Sequence, residues 1–556
     1  MPGMIVAPEP LAVEAGARVL MAGGNAMDAA VTCAFVEGVV NPMNCGIGGY
    51  VLATLHLADA AAPELAERPF RGGSTGSPPS GGNTIALDAP ALAGSLTTPG
   101  MWEAASLGPN PEGWGFLVRD RLNYMGYSSI CTPGAVAGLA TLLARYGTTS
   151  WADAIAPAVR IARDGFMVGQ TLAASWRYRA RDLRLCNTLD CLEANPEARR
   201  IYLREGREPL EPADLLRNPD LAAALERLAA AGPADFYTGA LAAEISRDLA
   251  ANGSFVTAGD LAAYAVRDIT PLVGTYRGWE IRTAPPPHGG PTLLAALNIL
   301  EGLDLASMGH NSPEYIYQAA MALKAAFADR NPYLGDVQFV DAPLDWMISK
   351  DRAAEWREHI AAGRPIVVDY VPPESPDTTH VSVVDRYGNC VALTHSLGSG
   401  SGVITPGLGF IYNNSMCNFN PLPGTANSIA PGKSRTTGMA PTIIYRDGKP
   451  ALVIGAPGGT KIISSVLQVI LNILDFGISP SEAVLAPRFD CQGYLITCQP
   501  RIPCYVRDEV ARRHPVAASP NSHGGIGLVH VIALDGATGE LAGGADAGAG
   551  GMALRV

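Results

Sequence analysis

A proline-rich break late in the chain constrains its fold more than any other feature. The stretch from Asp369 to Pro376, which contains Pro372, Pro373 and Pro376, cannot continue a helix, because proline lacks an amide donor and disfavours helical geometry in the residue before it. It reads as an exposed linker between two kinds of text. Before it, residues 133–263 are mostly helical and rich in Ala, Leu and Arg, with breaks at Gly147, Asn195-Pro196 and Gly232-Pro233. After it, short strands are predicted from Val381 to Val384, Val391 to His395, Gly409 to Tyr412, Pro441 to Tyr445 and Ala451 to Ile454, with one more in the stretch from Gly527 to Leu534. Helix-rich text joined to strand-rich text predicts layered α and β elements built from two chain segments.

The N-terminal part adds to this layering. Leu11, Ala15, Val19 and Leu20 share one helical face, Gly23-Gly24-Asn25 breaks the helix, and Asn25 caps a second apolar helix reaching Val40. The turn Gly46-Ile47-Gly48-Gly49 then leads into a strand from Tyr50 to His56, and the Gly-, Ser- and Pro-rich text from Ala61 to Asn83 reads as a surface loop. A second turn cluster, from Ala284 to Pro291, precedes a helix from about Thr292 to Gly302, and another helix runs from Tyr315 to Ala328. No internal repeat is present.

Charge and spacing exclude several function classes. Lys and Arg total 40 against 52 Asp and Glu, a net charge of −12, which argues against a nucleic-acid partner. No stretch has the roughly 20 mostly apolar residues of a membrane span. Nor is there a dinucleotide fingerprint, a P-loop, a His-Glu-x-x-His or a Gly-x-Ser-x-Gly, and the nine histidines show no ligand spacing, so no metal and no cofactor is expected. The ten cysteines include no Cys-x-x-Cys pair and read as buried or free thiols in a reducing compartment. The start, Met1 to Pro8, has no basic stretch leading into an apolar one. A cytoplasmic location is therefore expected, or a periplasmic or secreted one if a leader is missing.

What remains is the dense run from Pro376 to Thr394, where Thr378-Thr379-His380 stands at the mouth of a strand and Asp385 to Asn389 forms the turn that returns a second strand. From spacing alone this is an ordinary β-hairpin with surface threonines. Residues 378–394 nevertheless resemble the start of the small subunit in the γ-glutamyltranspeptidase family. Further matches follow in the family's order: Gly23 to Ala30, Gly46 to Gly49, Asp235 to Gly239, Pro271 to Gly278, Ala328 to Arg330, Tyr333 to Asp336, Met439 to Ile443, Gly455 to Gly459 and Ala486 to Phe489.

The resemblance implies an N-terminal-nucleophile hydrolase, a four-layer αββα sandwich of α/β (α+β) class, made as a precursor that cuts itself between Asp377 and Thr378. Residues 1–377 would form a large subunit and residues 378–556 a small one, the two together one fold and a heterodimer. Thr378 would be the nucleophile, its freed α-amine taking the hydroxyl proton. With a reference pKa of about 7.7–8.0, a useful fraction of that amine is unprotonated near neutral pH. Gly458 and Gly459 match the family's oxyanion pair, although by themselves they read as a tight turn. Ser396 falls where the family places a hydroxyl against the nucleophile, although by itself it reads as a solvated strand serine. Thr379 and His380 are expected to anchor the strand, and Asn389 to close the turn.

The departures concern the substrate grip. Where the family holds the substrate α-carboxylate with an Arg, this chain has Leu87-Asp88-Ala89-Pro90-Ala91, and where it pairs an Asp with the α-ammonium this chain has Asn418. The paired serines before Met439 become Thr437-Gly438, and the loop after Leu397 is glycine-rich, from Gly398 to Gly402. Arg435 is the residue named to replace the carboxylate contact. The expected reaction is cleavage or transfer of a γ-glutamyl, glutathione-like amide through an acyl-Thr intermediate, with water or an amine as acceptor. The alternatives are the same chemistry on another acyl amide, cephalosporin-acylase-like or oxamate-hydrolase-like, or an uncleaved pseudoenzyme that binds a small ligand. An interaction scaffold built on the Ala/Leu-rich helices has no specific feature in its favour.

Overall fold

Two antiparallel sheets form the interior of the molecule because their strands carry apolar side chains on both faces. The structure is a computed structural model and describes residues 2–58, 84–109, 116–177, 186–368 and 378–556. The first sheet is built from β1 (Met4–Ala7), β2 (Tyr50–His56), β3 (Thr84–Ala89), β4 (Arg267–Ile269), β7 (Thr379–Val384), β8 (Cys390–Ser396) and β13 (Met552–Arg555), in the order β4-β3-β2-β8-β7-β1-β13. The second contains β5 (Leu272–Tyr276), β6 (Trp279–Thr283), β9 (Thr442–Arg446), β10 (Lys449–Gly455), β11 (His530–Leu534) and β12 (Leu541–Ala545), in that order. Both sheets combine strands from before and after the proline-rich stretch, so neither chain segment could complete a sheet alone.

Three apolar clusters define the layers. Outside the first sheet, Val51, Ala53, Val381, Val383, Val391 and Leu393 pack against α1 (Pro10–Met21), α2 (Ala26–Val40), α3 (Ala135–Tyr146) and α4 (Trp151–Asp164). Between the sheets, Val6, Val384 and Ala392 meet Ile443, Val453 and Ile532. Outside the second sheet, Ile444, Leu452 and Val531 pack against α5 (Gly290–Glu301), α6 (Pro313–Tyr333) and α7 (Lys461–Leu474). The result is helices, sheet, sheet, helices, the αββα arrangement expected from the sequence.

α2 shows how local signals place an element. Asn25 accepts hydrogen bonds from Met27 N and Asp28 N while the Asp28 carboxylate accepts from Asn25 N, a reciprocal cap that fixes the helix start. Every residue of α2 except Gly38 is buried, as a helix apolar all round requires. Near its end this helix carries a fully buried acid, Glu37.

Two sequence expectations change. The text from Gly409 to Tyr412 forms no strand: Gly407 and Gly409 adopt left-handed φ of 79° and 70°, which turn the chain, and Tyr412 makes a single bridge to Gly48. The helix expected from Tyr315 to Ala328 extends over Pro313–Tyr333, capped by the Ser312 hydroxyl and started by Pro313. The expected linker from Asp369 to Pro376 and the whole of the Ala61–Asn83 loop lie outside the described residues.

Behind α7, a buried ion pair holds the C-terminal strands. Arg488 donates to the Asp546 carboxylate and to the Gly527 and Val484 carbonyls, with both charged side chains sealed from solvent. Asp546→Ala leaves that guanidinium without its counter-charge and is expected to cost about 3–5 kcal/mol, read as a lower denaturant midpoint. An unchanged midpoint would show the pair to be dispensable.

Candidate active site

Hairpin register brings the two proposed hydroxyls together. β7 and β8 pair with Thr379 opposite His395 and Val384 opposite Cys390, so the next step of the register sets Thr378 opposite Ser396. Their Oγ atoms lie 3.0 Å apart. Ser396 also accepts from Gly398 N at 2.9 Å, which fixes its oxygen and leaves its hydrogen or second lone pair for Thr378. Both residues are buried, Thr378 at 7% exposure, so the expectation of a solvated Ser396 is excluded.

The turn that sets this register is itself anchored. Asp385 accepts from Tyr387 N and Asn389 N through one oxygen, and from the Asn389 side chain and Ala26 N through the other. Ala26 is the first residue of α2, so the carboxylate sits at a helix N-terminus, where negative charge is favoured. Asn389 closes the turn, as the sequence suggested, and also accepts from Ala58 N.

Beside Thr378, the histidines are structural. His380 is buried, its ring nitrogens lying 2.9 Å from the Thr394 hydroxyl and 3.1 Å from the Ser382 hydroxyl. Burial, reinforced by His530, holds its pKa well below the usual histidine range, and burial pushes His530 down to about 4. Both rings are neutral at physiological pH. Gly455 lies flat against His380, since a Cβ there would come within 2.2 Å of the ring.

From Gly455 the chain continues to Gly458 and Gly459, whose φ of 139° and 59° suit glycine, and then enters α7. Gly438 packs against this turn; a Cβ on it would lie 2.2 Å from the Gly459 carbonyl oxygen. Thr437 and Gly438 are thereby brought next to Gly459. The Thr437 hydroxyl is engaged 2.8 Å from His288 Nδ1, and His288 Nε2 lies 3.2 Å from the Asp88 carboxylate. Asp88 and His288 are polar site residues that the sequence reading left out: Asp88 appeared only as part of a departure, and His288 only inside a turn cluster.

Asn418 and Arg435 belong to one connected group. The Asn418 carbonyl accepts from Asn427 Nδ2 at 2.7 Å, and Asn427 Oδ1 accepts from Thr436 N at 3.0 Å. Next to Thr436, the Arg435 guanidinium is buried, donates to the Thr436 carbonyl and to the Tyr50 hydroxyl, and lies 5.0 Å over the Tyr50 ring. Tyr50 opposes Ser396 in the β2–β8 pairing, which sets Arg435 on the same side of the sheet as Ser396. Tyr50 was read only as a strand residue. Pro90, where the family has its carboxylate-binding Arg, uses its carbonyl to accept from the Tyr264 hydroxyl. Asp377, on the far side of the expected cut, lies outside the described residues.

With this geometry in view, residues 12–68 and 82–556 match the family described as Gamma-glutamyltranspeptidase. The chain belongs to that family. It is 37% identical over 535 residues to the Acylase ACY 1 proenzyme of Pseudomonas sp. (strain V22), spanning 95% of this chain and 89% of that protein. It is also 34% identical over 511 residues to the Glutathione hydrolase proenzyme of Escherichia coli (strain K12), spanning 88% and 81%. Among solved structures it is similar to the cephalosporin acylase from Bacillus halodurans, with a TM-score of 0.82 at 26% identity over 100% of this chain and 95% of that one. A second match, to Helicobacter pylori gamma-glutamyltranspeptidase, has a TM-score of 0.54 at 32% identity over 65% and 91%. The family makes this chain an amidohydrolase or acyltransferase of the autoprocessed, N-terminal-nucleophile type. Among the described residues, no helix is long and apolar enough to cross a membrane.

Ser396→Ala removes one neutral hydrogen bond at the Thr378 hydroxyl, worth about 0.5–1.5 kcal/mol. The expected result is roughly 2- to 12-fold slower self-cleavage, followed by the appearance of the small fragment on a gel. Wild-type kinetics would remove Ser396 from the site.

Proposed function

We propose that Thr378 is both the self-processing residue and the catalytic nucleophile, and the 3.0 Å contact between the Thr378 and Ser396 hydroxyls carries this reading. In maturation Thr378 Oγ1 attacks the Asp377 carbonyl, the C–N bond breaks so that the peptide bond becomes an ester and the Thr378 α-amine is freed, and water then opens the ester to release the Thr378 hydroxyl and an Asp377 carboxylate. Residues 1–377 and 378–556 then remain together as two subunits. In turnover the α-amine takes the hydroxyl proton as Oγ1 attacks the substrate amide. The amides at Gly458 and Gly459 stabilise the oxyanion, and the proton passes to the departing amine. Water or an acceptor amine resolves the acyl-Thr ester and returns the enzyme. His380, the imidazole on the same strand, has both ring nitrogens engaged with the Thr394 and Ser382 hydroxyls, which supports an amine, rather than an imidazole, as the base.

The substrate class to test first is a γ-glutamyl, glutathione-like amide, as in the name of the Escherichia coli relative. A second reading, an acyl amide that carries a terminal carboxylate but no α-ammonium, is favoured by Asn418 and Pro90 at the two contact positions and by the acylase relative. In both readings Arg435, held by Tyr50, meets the carboxylate. Thr437 and Gly438 line the acyl side with Asn418.

Intact mass of the wild type beside Thr378→Ala tests the chemistry: the wild type is expected to yield a fragment beginning at Thr378 and the variant to stay whole. A wild type that stays whole would favour the ligand-binding pseudoenzyme. For the acyl group, turnover of γ-glutamyl and glutaryl anilides is compared in the wild type and in Arg435→Met. The variant is expected to lose about 10- to 100-fold in kcat/KM on whichever carboxylate-bearing substrate is used, the value of a charge-assisted hydrogen bond. With an amine base, kcat/KM should rise with pH up to about 8.

A further inference from the structure

We propose that Glu37, Cys45 and His395 form a structural site for a zinc-like divalent cation, on the face of the hairpin opposite Thr378. One donor atom from each residue lies within 4.8 Å of the others, and all three residues are buried. They come from three elements: Glu37 from α2, Cys45 from the turn before β2, and His395 from β8. A thiolate, a carboxylate and an imidazole are the donor set that tetrahedral zinc takes, with a water in the fourth position. A small cavity of about 10 Å³, lined mainly by apolar residues of α2 and its neighbours, adjoins His395. Bonds of about 2.0–2.3 Å would draw the donors together by roughly 1 Å.

The polar atoms here are only partly satisfied. The Cys45 thiol donates to the Asn41 carbonyl at 3.7 Å, the Glu37 oxygens meet no hydrogen bond of good geometry although the Thr379 hydroxyl acts on them, and His395 Nδ1 has no partner. His395 Nε2 lies 3.1 Å from the Gly46 carbonyl and 3.3 Å from its amide. A proton on Nε2 donated to that carbonyl leaves Nδ1 with a lone pair, which is how metal-bound histidines are oriented by their outer partners. Buried polar groups without partners are costly, and a cation would collect these.

Charge also balances. Burial pushes the Glu37 carboxyl up to about 8 against the pull of the Thr379 hydroxyl, and burial, with Glu37 beside it, holds the Cys45 thiol well above its usual range. Burial pushes His395 down to about 4. Glu9, also pushed up to about 8 by burial, and the raised thiol of Cys33 are the other titratable groups coupled to the cluster. A Cys45 thiolate and a Glu37 carboxylate together would balance the charge of a bound M²⁺. The ion would be acquired as the chain folds, clamping α2 and the glycine turn to β8 next to Ser396.

The test is to produce the full chain in medium containing Co²⁺ or Zn²⁺, and to measure metal content after gel filtration. One metal ion per chain is expected, and the cobalt form should show thiolate-to-cobalt charge transfer with the visible bands of tetrahedral Co(II). Cys45→Ser should lose the charge-transfer band and at least about tenfold in affinity, with Glu37→Gln as the second variant. A folded wild type that retains no metal overturns the proposal, as does a cobalt spectrum that Cys45→Ser leaves unchanged. Neither outcome depends on self-cleavage or on amide turnover.

Discussion

The Asp385 carboxylate joins the hairpin that carries Thr378 to the N-terminus of α2, and the site's geometry depends on this junction. Its four hydrogen bonds close the turn between β7 and β8 and also receive the first amide of the helix. Burial pushes this carboxyl above its usual range while those hydrogen bonds pull it down, so the group is held by geometry at some electrostatic cost. Because side chains alternate along a strand, a slip of one residue in this turn would turn Thr378 and Ser396 toward the helices and Thr379 and His395 toward the second sheet. The 3.0 Å contact at the far end of the hairpin therefore rests on a turn six residues away along β7.

The second sheet contributes the complementary half. β10 lies against β7 closely enough that Gly455 has no space for a side chain beside His380. This approach fixes where the strand ends and hence where Gly458 and Gly459 emerge. Gly438 meets the same turn from the other side, and His288 holds Thr437 in place. The donors proposed for the oxyanion are thus set by backbone packing rather than by flexible side chains, which suits a group that must be preorganised.

The parts of the fold and site that were legible in the sequence are those fixed locally. Asn25 as a cap, the Asp385–Asn389 turn and the glycines at 458 and 459 each act within a few residues, so their types announce their roles. The tight turn makes the pairing of Thr378 with Ser396 legible, whereas their expected roles rest on the family resemblance, since by spacing alone the run is an ordinary β-hairpin. Tyr50 with Arg435 was not, since 385 residues separate the pair and nothing in periodicity or composition links them. The same holds for His288 with Thr437 across 149 residues, and for the donors at 37, 45 and 395, whose spacing matches no ligand pattern. The strand expected from Gly409 to Tyr412 fails for a local reason: Gly407 before it and Gly409 at its start take left-handed φ and bend the chain.

The hairpin serves different tasks on its two faces. Toward the second sheet it presents the hydroxyls of Thr378, Ser382, Thr394 and Ser396 and the buried imidazole of His380, all small or firmly bonded. Toward α2 it presents Thr379 and His395 to a buried acid and a thiol. A neutral carboxyl deep in an apolar helix contributes less to stability than a leucine of similar size would, because its oxygens lose hydration without gaining hydrogen bonds of good geometry. Its presence beside a thiol and an imidazole is accounted for if the three act as ligands, since a cation makes each donor favourable at once. Holding the helix face rigid in this way would also hold Ser396, one residue beyond His395, in register with Thr378.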